Sequence, residues 1–168
     1  TNGNYSLTIA SGHLTLTGND DFEIKRSTGT GTFTWSPNYL SLNIVEPTTT
    51  LTLSAPTTKA ISKNGPGTLL VNSDHTGALA INEGLVKYGP DGDFGSINLT
   101  TYGDGFLDLA GKGDETLAAL TLYDGGVTNS GSETASTLTI STLTMGAGPA
   151  GSSALVALAP GDTLKLGG

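Results

Sequence analysis

The sequence contains no cysteine, so neither disulfides nor thiolate metal sites are open to it, and an oxidising compartment is permitted without being required. Basic residues are scarce: 7 Lys and Arg stand against 15 Asp and Glu, a formal charge of −8. That balance argues against nucleic acid or an anionic membrane as a partner, because both are held through clustered positive charge. No apolar run approaches the length of a membrane span, and the start carries neither a Met nor the basic and apolar segments of an export signal. A chain opening at Thr1 in this way is expected to be a processed or excised form, with a secreted, cell-surface location. Helical periodicity is missing too. The one Ala/Leu-rich run, at 117–122, is short and flanked by Gly113 and Gly125.

What is present is glycine, threonine and a ration of short apolar side chains. The 168 residues include 25 Gly, with 36% hydrophobic and 6% aromatic residues, the composition of an all-β chain with many turns and a thin core. The length suits one domain, 1–168. A small pattern organises it, Gly-x-Φ-x-Φ with Φ apolar. It occurs at Gly12, Leu14, Leu16; at Gly31, Phe33, Trp35; at Gly67, Leu69, Val71; at Gly84, Val86, Tyr88; and at Gly105, Leu107, Leu109. Each copy reads as a short strand behind a turn, the glycine taking a positive φ or a crowded corner and the two apolar residues facing one side.

The glycines step by 19, 36, 17 and 21 residues, a repeat of about twenty. Past Gly111 the alternation persists in looser form at Leu120 and Leu122, Leu138 and Ile140, Leu143 and Met145, Leu155 and Leu158, Leu164 and Leu166. This spacing predicts a single-stranded parallel β-helix, a β-solenoid of about seven to eight short coils, clearest at 61–89. A β-sandwich is the alternative, disfavoured by the shortness of the strands and the lack of two-residue hairpin signals. No cap is evident at either end. Written tail before head, Leu164 and Leu166 run into Leu7 and Ile9 as though into one more coil, which predicts head-to-tail stacking of subunits.

Candidate chemistry is sparse. Asp104 and Asp108 are expected on one outward side, as in a carbohydrate-cleaving β-helix, but the only arginine, Arg26, lies apart beside Asp20, Asp21 and Glu23. Asp91 and Asp93 form a possible Ca²⁺ chelate that lacks the later oxygen ligands of such loops, so turn and solubility roles are expected. His13 and His75 sit among polar neighbours without a triad partner and are expected to be solvated loop histidines. Trp35 and Tyr39 could frame a sugar platform, with a core role for Trp35 the stronger expectation. The Thr-x-Thr pairs (Thr15/Thr17, Thr32/Thr34, Thr50/Thr52, Thr137/Thr139, Thr142/Thr144) raise ice binding as a minor alternative to ordinary strand propensity. Asn4-Tyr5-Ser6 and Asn98-Leu99-Thr100 match the N-glycosylation pattern, a frequent chance match in a Thr-rich chain.

The stretch 63–89 resembles the autotransporter-associated β-strand repeat, or passenger-associated transport repeat, of bacterial surface proteins. The matching positions are Lys63, Gly65, Gly67, Thr68, Leu69, Val71, Gly77, Ile81, Gly84, Val86 and Gly89, with departures at Asp74, His75 and Tyr88. The resemblance implies a right-handed parallel β-helix exported to the cell surface as a stalk, adhesin body or passenger, and it brings no catalytic residue. The expectation is therefore a non-enzymatic extracellular structural protein, with no catalytic, cofactor or metal residues. Its partners would be further copies of itself and cell-surface glycans. The alternative is a carbohydrate-active β-helix.

Overall fold

The computed structural model describes residues 7–9, 11–25, 33–35, 38–131, 135–148 and 153–167. Every regular element among them is a β-strand or bridge. In chain order these are β1 (Leu7–Ile9), β2 (His13–Leu16), β3 (Phe22–Lys25), β4 (Phe33–Trp35), β5 (Tyr39–Ile44) and β6 (Thr50–Ser54). The central strands are β7 (Ala60–Asn64), β8 (Thr68–Val71), β9 (Leu79–Ile81), β10 (Gly84–Tyr88), β11 (Ile97–Thr101) and β12 (Gly105–Asp108). The last are β13 (Glu115–Leu122), β14 (Gly125–Thr128), β15 (Thr137–Met145), β16 (Ala154–Ala157) and β17 (Thr163–Leu166).

Successive strands from β5 onward alternate between two sheets. One has eight strands in the order β17-β15-β13-β11-β9-β7-β5-β2, the other seven in the order β16-β14-β12-β10-β8-β6-β3, and β1 pairs with β4. All these pairings are parallel. The chain is thus a β-solenoid, as its spacing predicts, and not a sandwich of antiparallel strands. A short third side closes the middle turns through bridges of Thr57 with His75 and Asp74 with Asp93. The Ala/Leu-rich run at 117–122 lies in β13, in keeping with its lack of helical periodicity.

Alternation decides what is inside. Leu40, Ile61, Leu79, Leu99, Leu120 and Leu143 stack in one interior column of the eight-stranded sheet. Leu51, Leu69, Val86, Leu107, Val127 and Val156 stack in the facing column of the other. Five turns, from β5–β6 through β13–β14, carry buried residues on both strands. These five turns are fewer than the seven to eight coils expected, because the outer rungs built on β2, β3, β16 and β17 add strands to the sheets without buried residues of their own.

Gly84 shows why the pattern needs its glycine. Its φ is +74°, and a Cβ there would sit 2.5 Å from the Gly65 carbonyl oxygen and 2.6 Å from that of Gly67. The rungs also lengthen toward the C-terminal end: β11 and β13 change register between Ile97 and Asn98, and β15 has nine residues where β2 has four.

Candidate functional site

The residues that sequence reading weighed for chemistry mostly serve the turns. Asp108 is buried and accepts bonds from the Ala110 amide at 2.9 Å, the Ser130 amide at 2.8 Å and the Ser130 hydroxyl at 2.6 Å, with Lys87 Nζ 3.4 Å away. Burial pushes its pKa up, but the Ser130 and Ala110 bonds and the Lys87 charge outweigh this and hold the carboxylate below its usual range. Asp104 is instead exposed in the turn leading to β12, so the two carboxylates do different work. The Asp93 side chain accepts from the Gly95 amide at 2.7 Å, an Asx turn, and Asp91 is anchored through its own amide on Asn72 Oδ1 at 3.0 Å. Among the described residues no three of His, Cys, Asp and Glu come together as a metal site.

The two histidines part company. His13 is exposed, its ring edge-on to Tyr39 with centroids 6.0 Å apart. His75 corrects the expectation of a solvated loop histidine, being 0% exposed. Its Nε2 lies 3.0 Å from the Lys59 carbonyl oxygen, its ring packs edge-to-face on buried Phe94, and its Nδ1 has no hydrogen-bond partner among the described residues. The cause is the third ladder, which continues the in-and-out alternation through the polar link. Burial lowers the His75 pKa, against the bond to Lys59, so the ring is held neutral.

Lys63, a motif position in the sequence, occupies the interior column between Leu42 and Ile81 and is 0% exposed. Its ammonium donates to the carbonyls of Asn64 at 3.2 Å, Gly65 at 2.6 Å and Glu83 at 3.1 Å, one for each N–H. Burial brings its pKa down to about 8, with the Glu83 charge opposing, and at neutral pH it remains a cation fastening two successive turns. Trp35, as a side chain, and Arg26 and Asn4 lie outside the described residues. Asn98 is exposed on β11.

The threonine pairs divide between faces. Thr50 and Thr52 lie on β6 of the seven-stranded sheet, while Thr142 and Thr144 lie on β15 of the eight-stranded sheet. Thr100, Thr121 and Thr144 do form one outward column.

A longer column borders it. Thr15 pairs with Asn43 and Asn43 with Asn64. The amides of Asn82, Tyr102, Tyr123 and Gly146 each bond to the rung before, continuing the same line. Asn82 Nδ2 donates to Asn64 Oδ1 at 2.8 Å and to Ser62 Oγ at 3.0 Å, and Asn64 Nδ2 donates to Ser41 Oγ at 3.1 Å. The Tyr102 and Tyr123 rings stack at 4.9 Å with planes 5° apart, and Gly146 lies against the Tyr123 ring where a Cβ would collide with it. Beside the asparagines a groove of about 440 Å³ opens, lined by His13, Thr15, Ser41, Asn43, Asn64 and Glu83.

The ends of the solenoid form the other notable surface. Leu143 and Met145 close two interior columns with no further rung over them among the described residues, and Met145 is 61% exposed. Leu166 follows Ile140 in β17 and is 56% exposed, and Leu164 beside it is exposed as well. At the opposite end Phe22, which pairs with Leu51 in the facing interior column, is exposed. Comparison with protein-family models, curated proteins and solved structures finds no match to this chain.

Proposed function

We propose that the chain is a structural β-solenoid segment of an extracellular surface protein, and that it extends by stacking end to end on a second copy. The observation that supports this is the uncovered interior: Leu143, Met145, Leu164 and Leu166 hold inward column positions yet face solvent. Their natural cover is one more parallel rung. β17 and β16 end the two sheets on one side, β2 and β3 on the other, so the same two edges recur on every copy. A contact between unlike edges is heterologous and does not close, which yields a filament or stalk. The likeness of 63–89 to a surface-passenger repeat fits this reading, as does the formal charge of −8.

The test is negative-stain electron microscopy with sedimentation velocity across protein concentration, on the native chain and on Met145→Lys/Leu166→Lys. Filaments with an axial repeat of about 38 Å, eight rungs at roughly 4.8 Å each, and their loss in the double variant are the expected result. Single particles at the highest soluble concentration overturn stacking and point to flanking coils of a longer passenger as the cover.

A further inference from the structure

The outward face of the eight-stranded sheet carries a second capacity. The geometry points to the groove beside Asn43 and Asn64 as a binding site for a neutral, linear polysaccharide lying along the solenoid axis, across the rungs.

The lining supplies hydroxyl, amide, imidazole and carboxylate groups but no Lys or Arg among its residues. Acidic polysaccharides need cationic partners, and here Glu83 within a chain of charge −8 repels them. Uncharged sugar hydroxyls are instead met by groups that both donate and accept, as the amide of Asn43 and the hydroxyls of Thr15 and Ser41 do, while the Asn64 amide is taken up by Ser41, Ser62 and Asn82 and fixes the wall. Thr15 stands on one rung and Ser41 and Asn43 on the next, at the roughly 4.8 Å spacing of neighbouring strands, so an extended chain lying across the rungs meets polar contacts on both. The asparagine line continues past the groove to Asn82 and then to Tyr102 and Tyr123, whose rings stack on each other, with Gly146 against Tyr123. Their edges extend the line as phenol groups.

Two further features favour a chain-like ligand over a compact one. The floor beside the line is low: Ala60 pairs with Tyr39, and Ala80 stands between Ser62 and Thr100, so a flat polymer can approach the backbone. Tyr39, exposed and bracing His13, stands at the border of the floor as an aromatic surface against which a pyranose ring can pack.

The experiment is isothermal calorimetry with cellohexaose, xylohexaose and mannohexaose, and with an oligogalacturonate of equal length as the anionic probe. It uses the Met145→Lys/Leu166→Lys chain at low concentration, so that failure of binding is separate from failure of stacking. Binding of at least one neutral hexaose is expected. Asn43→Ala and Glu83→Gln should each weaken it by about tenfold, the worth of one or two hydrogen bonds, while Thr52→Ala on the opposite sheet leaves it unchanged. Glu83 is exposed, so its variant keeps the test valid if Asn43→Ala unfolds. Absence of binding to all three neutral probes, tighter binding of the anionic probe, or an equal loss in Thr52→Ala overturns the assignment.

Discussion

Strand β15 contains two regions written in the same vocabulary, Thr-Leu-Thr-Ile followed by Ser-Thr-Leu-Thr-Met, with opposite outcomes. Leu138 and Ile140 are fully buried, because β17 pairs with 137–140 and covers them. Leu143 and Met145, three and five residues further along the strand from Ile140, are exposed because no described strand follows on that side. Local sequence therefore decides which way a side chain points, and the neighbouring rung decides whether that direction is the inside. In a stack where each turn touches only the next, stability is a sum over such nearest-neighbour interfaces. The middle turns have two interfaces and the terminal turns have one.

The largest test of this contrast uses glycine. Gly84 and Gly167 share a left-handed backbone, with φ of +74° and +75°, but a Cβ at Gly84 meets two carbonyl oxygens and one at Gly167 meets nothing within 4 Å. Gly84→Ala should cost about 3 kcal/mol or more, conformational strain plus overpacking, and Gly167→Ala about 1 kcal/mol from the backbone alone. Equal losses in urea unfolding would show that crowding between rungs is not what fixes the corner.

The next test removes apolar volume at each place. Leu99→Ala, in a column covered above and below, is expected to cost about 3 kcal/mol, and Leu164→Ala at the open end under about 1 kcal/mol. If the two variants fall together, the end is covered in solution, and their difference measured against protein concentration then reports the stacking contact.

The smallest effect is an acid dependence confined to the middle turns. The folded-state pKa of His75 lies below its ordinary value near 6.5, so below that pH the unfolded chain takes up a proton that the folded chain refuses. Its stabilisation is present above about pH 6.5 and declines as pH falls from there toward the folded-state value. The thermal midpoint of the native chain should drop over that interval more than that of His75→Gln. Glu115, raised by burial and by Asp93, contributes with the opposite sign at lower pH, which makes the comparison with the variant necessary.

Much of the fold was legible in the sequence because its signal is short-range. From Leu69 to Ile81 every odd-numbered position is buried, and the even spacing between Val71 and Leu79 already implied that the alternation does not break in the polar link between them. Following that count would have placed His75 inward, and the same count from Ile61 would have placed Lys63 inward. Polarity argued the other way at both positions. It misleads where a buried polar group finds backbone carbonyls at the corner of a turn, as Lys63 does three times.

The asparagine and tyrosine line was illegible for a different reason. Its members lie 18 to 21 residues apart, from Asn43 to Asn64, Asn82, Tyr102 and Tyr123. They become neighbours only when each rung takes one particular register on the last. Glycine spacing gives the length of a turn to within a few residues, whereas a column needs it to the residue.

Strand order in both large sheets follows chain order, so the first and last rungs stand at opposite ends of the solenoid. Tension applied along the axis therefore loads the ladder bonds of one rung at a time, in peeling and not in shear. Each rung that gives way releases roughly 20 residues, on the order of 70 Å of slack, before the next is loaded. Pulled along its axis, the described solenoid is expected to yield in small increments, one rung after another, starting from the terminal rungs that have a neighbour on one side only.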